Sequence, residues 1–273
     1  MRQQVKNEDA HSFKMFLETV FVILLVLGFC VLAYRGANHE FQILQKDYTR
    51  DTDWSEVLNE QLPLVIRQLP NYWMGPWTQR ATEQKTWPIT ITDAHGQQYR
   101  TTWNAWLATP NAPQPDNRQE LGTHAKLQTI LMNWNAEDFR CWSWLPSSAA
   151  TIHPSVYSEQ TPASLQKTTA ESTVIVSTDG VPIELWIAHE GALPSEVCSR
   201  LLGNDPWTTT TDTIPLINEA KYIEIKLRPG NAVVLPKHWY YALRTSPDSQ
   251  GNAWFWTASF HTPISFFMSS LKK

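Results

Sequence analysis

The chain has 273 residues, a net charge of −4 and no basic stripe, which argues against nucleic acid as a partner. Its cysteines are Cys30, Cys141 and Cys198; they form no Cys-x-x-Cys pair, so the spacing argues against a thiolate zinc site. Tryptophan is heavily used, with 14 residues spread from Trp54 to Trp256. Rings of that size usually fill β cores, although a carbohydrate-binding surface uses them too.

In chain order, residues 1–15 form a polar tail. Phe16–Tyr34 carries a single charge, Glu18, at its edge. As a helix this stretch covers roughly 28 Å, enough for a bilayer core, so residues 16–35 are predicted to be a transmembrane helix and the chain a single-pass membrane protein. A cleaved secretory signal is the rival, because Val31-Leu32-Ala33 has small-residue spacing. The long polar stretch before the run and its ending on Tyr34-Arg35 favour a retained anchor. Arg2, Lys6 and Lys14 precede the run more tightly than Arg35, Lys46 and Arg50 follow it, which leans toward a cytoplasmic N-terminus. The chain has no Asn-x-Ser/Thr acceptor, and the compartment and any Cys141–Cys198 pairing stay open.

Residues 36–52 read as a membrane-proximal spacer and 53–265 as one domain, with 266–273 as a tail. Asp53-Trp54-Ser55-Glu56 has the form of a capping box opening a short helix to about Gln61. Leu62–Leu69 has strand character. Trp87–Asp93 and Gln97–Thr102 predict a hairpin around Ala94-His95-Gly96, and Thr102 caps a helix over Trp103–Ala108. A proline-rich loop spans Thr109–Arg118, and Thr123–Trp134 has helical spacing. Ser172–Ser177 and Val181–His189 are read as a hairpin turning at Thr178-Asp179-Gly180. Strands are predicted over Tyr222–Arg228, Ala232–Leu235, Trp239–Arg244 and Ala253–Phe260. Helices first and short, closely spaced strands afterwards suggest a β-barrel or jelly roll with a helical N-terminal elaboration.

Leu227-Arg228-Pro229-Gly230, Leu235-Pro236 and Trp239-Tyr240-Tyr241 resemble the last strands of the cupin-like, JmjC-related oxygenases. Pro63–Arg67, Trp77-Thr78 and Trp144–His153 fall in the order that family uses. The resemblance covers Asp53 through Phe260. It implies a mainly β fold, a cupin-like double-stranded β-helix preceded here by the transmembrane helix. It also implies Fe(II) held by two histidines and a carboxylate, with 2-oxoglutarate as cosubstrate.

Carried over residue by residue, the resemblance places the first histidine at His153, the carboxylate at Ser155, the distal histidine at Tyr241 and the cosubstrate anchor near Pro182. Three of these four residues lack the required chemistry, so the positions read as vestigial, with His153 the one metal candidate and no catalytic residue. The expected function is a membrane-anchored, non-catalytic binding or scaffolding domain without a cofactor. Its partner would be the membrane through residues 16–35 and an unidentified protein, peptide or glycan. One alternative is an active Fe(II)/2-oxoglutarate hydroxylase with ligands relocated to His238, Glu159, His189 or His261. The other is an aromatic-rich glycan- or peptide-binding jelly roll, which requires tryptophans clustered on the surface.

Overall fold

The computed structural model describes residues 19–26, 42–49, 52, 54–74, 77–78, 86–93, 95–109, 115–117, 120–122, 150–158, 161 and 163–261. Cys30, the predicted helix Thr123–Trp134, Cys141, Ser147, Ser148, Glu159 and the two tails lie outside those residues. The chain divides into two units, Met1–Phe41 and Gln42–Lys273.

In the first unit, residues 19–26 are helical and Phe21 through Val26 are exposed. No helix among the described residues is long and apolar enough to cross a membrane. The transmembrane helix expected over 16–35, and with it the single-pass membrane localisation, is therefore corrected. Composition supplied the apolar run, but apolar composition alone does not set the length of a helix.

The second unit is mainly β. A six-stranded sheet runs β1-β2-β10-β7-β12-β5 and a four-stranded sheet runs β6-β11-β8-β9. The first contains β1 (Leu44–Asp47), β2 (Leu64–Arg67), β5 (Ala150–Tyr157), β7 (Ser172–Gly180), β10 (Asn231–Pro236) and β12 (Ala253–Phe260). The second contains β6 (Gln166–Lys167), β8 (Ile183–His189), β9 (Ile223–Leu227) and β11 (Trp239–Thr245). A separate hairpin joins β3 (Pro88–Thr92) to β4 (Gln98–Thr102). Its turn is built by Asp93, whose carboxylate accepts from the His95 and Gln97 amides at 2.8 Å each.

Period-two alternation sets which side chains go where. Ile175, Leu185, Val233, Leu243 and Phe255 fill the space between the two sheets. The opposite side chains of the larger sheet, including Val174, Val176, Val234 and Trp256, pack under the N-terminal helices Trp54–Asn59, Asn71–Met74 and Trp103–Leu107. Trp73, Trp77, Trp103, Trp254 and Trp256 in that layer are each at most 1% exposed. Trp77 meets Trp103 edge-on at 4.7 Å, and Trp256 Nε1 donates to the Trp73 carbonyl at 3.0 Å. A third cluster seals the outer face of the smaller sheet, where the helix Ser195–Leu201 buries Val197 and Leu201 against Trp186, Ala188 and Ala242.

Two expectations change. The predicted hairpin of β7 with β8 does not form: β7 pairs with β10 and β12, whereas β8 pairs with β11 and β9. Gly180 at φ 82° turns the chain from one sheet into the other. Within the expected spacer, Leu44–Asp47 is a strand, parallel to β2, anchored by Leu44 N donating to the Pro63 carbonyl at 2.9 Å. It is an edge strand whose side chains after the half-buried Leu44 are exposed, so it leaves no apolar alternation in the sequence.

Candidate functional site

The residues that the family resemblance selects lie on three different segments. On β5, Ile152 and Val156 enter the tryptophan-rich layer and Tyr157 packs against the inter-sheet core. Alternation therefore puts His153 and Ser155 on the inter-sheet face with Tyr157. Ser155 is buried and His153 half-buried. Thr257 lies opposite His153 across the β5–β12 pair.

Tyr241 also faces the space between the sheets, since it packs against the same core. Its register partner is Gln166 on β6, and its hydroxyl donates to Gln166 Oε1 at 3.1 Å. The residue brought to Tyr241 is thus a carboxamide that the sequence reading passed over. A two-residue strand with no apolar member gives no periodic signal, so only the β6–β11 pairing could reveal it. Pro182 sits between β7 and β8, where its carbonyl accepts from the Ser246 amide at 2.9 Å. It offers no cation to a cosubstrate carboxylate.

The histidines proposed as substitutes go elsewhere. His238 lies in the β10–β11 turn with φ 68°, not on a strand, and its Nδ1 is 3.1 Å from Glu190 Oε2. Glu190 also accepts from Lys167 Nζ at 2.5 Å. Partial burial works to raise the Glu190 carboxyl, but the hydrogen bonds from Lys167 and His238 outweigh it and hold the group below its ordinary range. His189 accepts from the Gly191 amide at 3.1 Å and meets Trp239 edge-on at 5.4 Å. His261 follows the end of β12, four residues beyond Thr257, so it is about 13 Å along the strand from the row of His153. Burial holds its imidazole below the ordinary value.

Among the described residues, no three His, Cys, Asp or Glu side chains gather as a metal-binding group. The donor set at the expected positions does not suit ferrous iron. Ser155 supplies a neutral hydroxyl where an anion is needed, and the Tyr241 phenol is committed to an amide oxygen. Cys198 has a free, half-buried thiol. Burial, reinforced by its contact with Cys198, raises the neighbouring Tyr240 hydroxyl far above its ordinary value.

Among the described tryptophans, Trp87 and Trp207 are half-buried and the rest are buried, so the rings form a core and not a tryptophan-lined surface. Trp207 nevertheless borders a cleft of about 590 Å³ on the outer side of the smaller sheet, together with Trp186, Tyr222, Glu224 and Asn218. A second cleft of about 590 Å³ adjoins it through Thr209 and is bordered by Arg200, Asn204 and Asp205. Sequence reasoning missed both, because their walls come from β8, β9 and the irregular segment between the helix Ser195–Leu201 and β9. Comparison with protein-family models gives no match, and comparison with curated proteins gives none.

Proposed function

We propose that this chain is a cupin-like β domain without oxygenase chemistry, acting by binding. The division of strands β5 to β12 between two sheets, with β5, β7, β10 and β12 in one and β6, β8, β9 and β11 in the other, supports the family assignment, as do the Pro229-Gly230 turn and the aromatic run that begins β11. The observation that carries the functional reading is the Tyr241–Gln166 hydrogen bond at 3.1 Å. It occupies the position assigned to the distal histidine with a phenol and an amide, neither of which replaces an imidazole as a ligand for Fe(II). Ser155 and Pro182 remove the anionic ligand and the cosubstrate anchor in the same way.

Anaerobic incubation of the full chain with excess Fe(II), followed by desalting and metal analysis, tests the reading directly. Iron well below one equivalent, and no succinate formed from 2-oxoglutarate and oxygen, is the expected result. Stoichiometric iron with 2-oxoglutarate turnover would sink it.

A further inference from the structure

The cleft beside Trp207 is a better-built site than the interior positions the resemblance selects. Tyr222 is 47% exposed although it is a large aromatic. Its ring lies on the Trp186 indole, with centroids 5.0 Å apart and planes 23° from parallel. Trp186 itself is 2% exposed. One face of Tyr222 is therefore held against the protein, and the ring is fixed as a flat platform at the edge of the cleft.

The lining around Trp207 is also held in place. The Trp207 backbone amide donates to Asp205 Oδ1 at 2.8 Å, and its Nε1 donates to Glu224 Oε1 at 3.1 Å. The Arg244 guanidinium sits over the Trp207 ring at 4.3 Å. Arg244 is in turn fixed by Glu184, with Nε and Nη2 donating to Oε2 at 2.9 and 2.8 Å. A wall set in advance loses little entropy when a ligand arrives.

The polar lining selects the ligand chemistry. The Thr210 and Thr211 hydroxyls and the Asn218 carboxamide border the cleft, and none of these side-chain groups makes a hydrogen bond to the described residues. Hydroxyls and amides can each donate and accept. Glu224 uses Oε1 for Trp207, leaving its other oxygen as an acceptor. Among the described residues no lysine, arginine or histidine lines this cleft itself, and Glu224 does, which disfavours an anionic ligand. The volume lies within the range of small-ligand sites.

We propose that this cleft binds a neutral saccharide, with the apolar face of a sugar ring on Tyr222 and its hydroxyls on Thr210, Thr211, Asn218 and Glu224. The proposal rests on the reading that the domain acts by binding, but it concerns a different part of the molecule from the Tyr241–Gln166 pair. The iron and succinate assay therefore judges one and the titrations below judge the other.

The test is intrinsic tryptophan fluorescence of the full chain titrated with cellotriose, maltotriose and chitotriose, each free and coupled to serum albumin. Choline serves as a cationic probe and glucuronate as an anionic one. Saturation by at least one neutral trisaccharide below about 10 mM is expected, and the free and coupled arms separate a soluble sugar from a displayed glycan. Tyr222→Ala should weaken that binding at least about tenfold, whereas Tyr222→Phe, which keeps the ring, stays within about threefold. Glu224→Gln should also stay within about tenfold, since a neutral sugar does not depend on the full charge. Circular dichroism of each variant checks that it remains folded. Saturation by choline with loss in Glu224→Gln, saturation by glucuronate alone, or no saturation by any probe would overturn the proposal.

Discussion

Gly180 and Gly203 both have positive φ, 82° and 81°, yet their surroundings differ. A Cβ at Gly180 would lie 1.9 Å from the Asn252 carbonyl oxygen, a backbone atom, while at Gly203 nothing lies within 4 Å. Gly203→Ala therefore carries only the left-handed conformational penalty, about 1 kcal/mol. Gly180→Ala adds a displacement of the β12 approach and should lose about 2 kcal/mol or more. Urea unfolding of the two variants side by side measures the difference. His261 gives a prediction in pH. Its folded value lies below the unfolded one, so the folded state binds fewer protons. The associated stability is complete above about pH 6.5 and is lost as the pH falls. His261→Gln should flatten that acid-side decline, read as the urea midpoint between about pH 7.5 and pH 5.

At the scale of elements, turn chemistry was legible and partner choice was not. Asp93 and Gly96 marked the β3–β4 hairpin, and Thr102 marked the start of Trp103–Leu107, where its hydroxyl accepts from the Ala105 amide at 3.4 Å. The same reasoning applied to Thr178-Asp179-Gly180 gave a hairpin that does not exist. A tight turn fixes where a chain reverses locally, but β8 finds its hydrogen bonds on β11 and β9, from residues far along the sequence. The site was hidden for that reason: Gln166 meets Tyr241 only through β6–β11 pairing. Glu190 fastens this corner by joining Lys167 on β6 to His238 in the β10–β11 turn. Its folded value is lowered, so its contribution is present above the ordinary glutamate value and disappears as the pH falls through the folded one. Both partners are partly exposed and screened, so Glu190→Gln should cost well under 1 kcal/mol near neutral pH. That small difference should shrink in denaturation experiments as the pH falls below the ordinary glutamate value. The tryptophan layer operates on another scale of energy. Trp256→Ala removes a fully buried ring and its bond to the Trp73 carbonyl, and should cost about 3–5 kcal/mol in the same experiment.

For the molecule as a whole, the boundary of the folded unit is the testable quantity. The compact unit begins at Gln42, eleven residues before the boundary read from the Asp53 capping box. A fragment 42–273 keeps the whole compact unit and serves as the reference. A fragment 53–273 lacks β1 and its hydrogen bonds to β2, and should melt a few degrees lower, about 2–4 °C for each 1 kcal/mol lost. Thermal scans by circular dichroism would show this, and equal midpoints for the two fragments would refute a structural role for β1.

The sequence by itself determined the mainly β character, the position of most strands and the local turns, because alternation, β-branched runs and residues such as Asp93 and Gly230 act on the backbone within a few positions. It also fixed the side-chain identities at Ser155, Tyr241 and Pro182, since these need no coordinates. Only the tertiary structure decided which strands share a sheet, that Leu44–Asp47 belongs to one, and that the 16–35 run yields no described helix of bilayer length. The cleft beside Trp207 was likewise beyond the sequence. Its walls are joined by side-chain contacts between residues many positions apart, such as Trp186 with Tyr222, and those contacts exist only after the chain has folded.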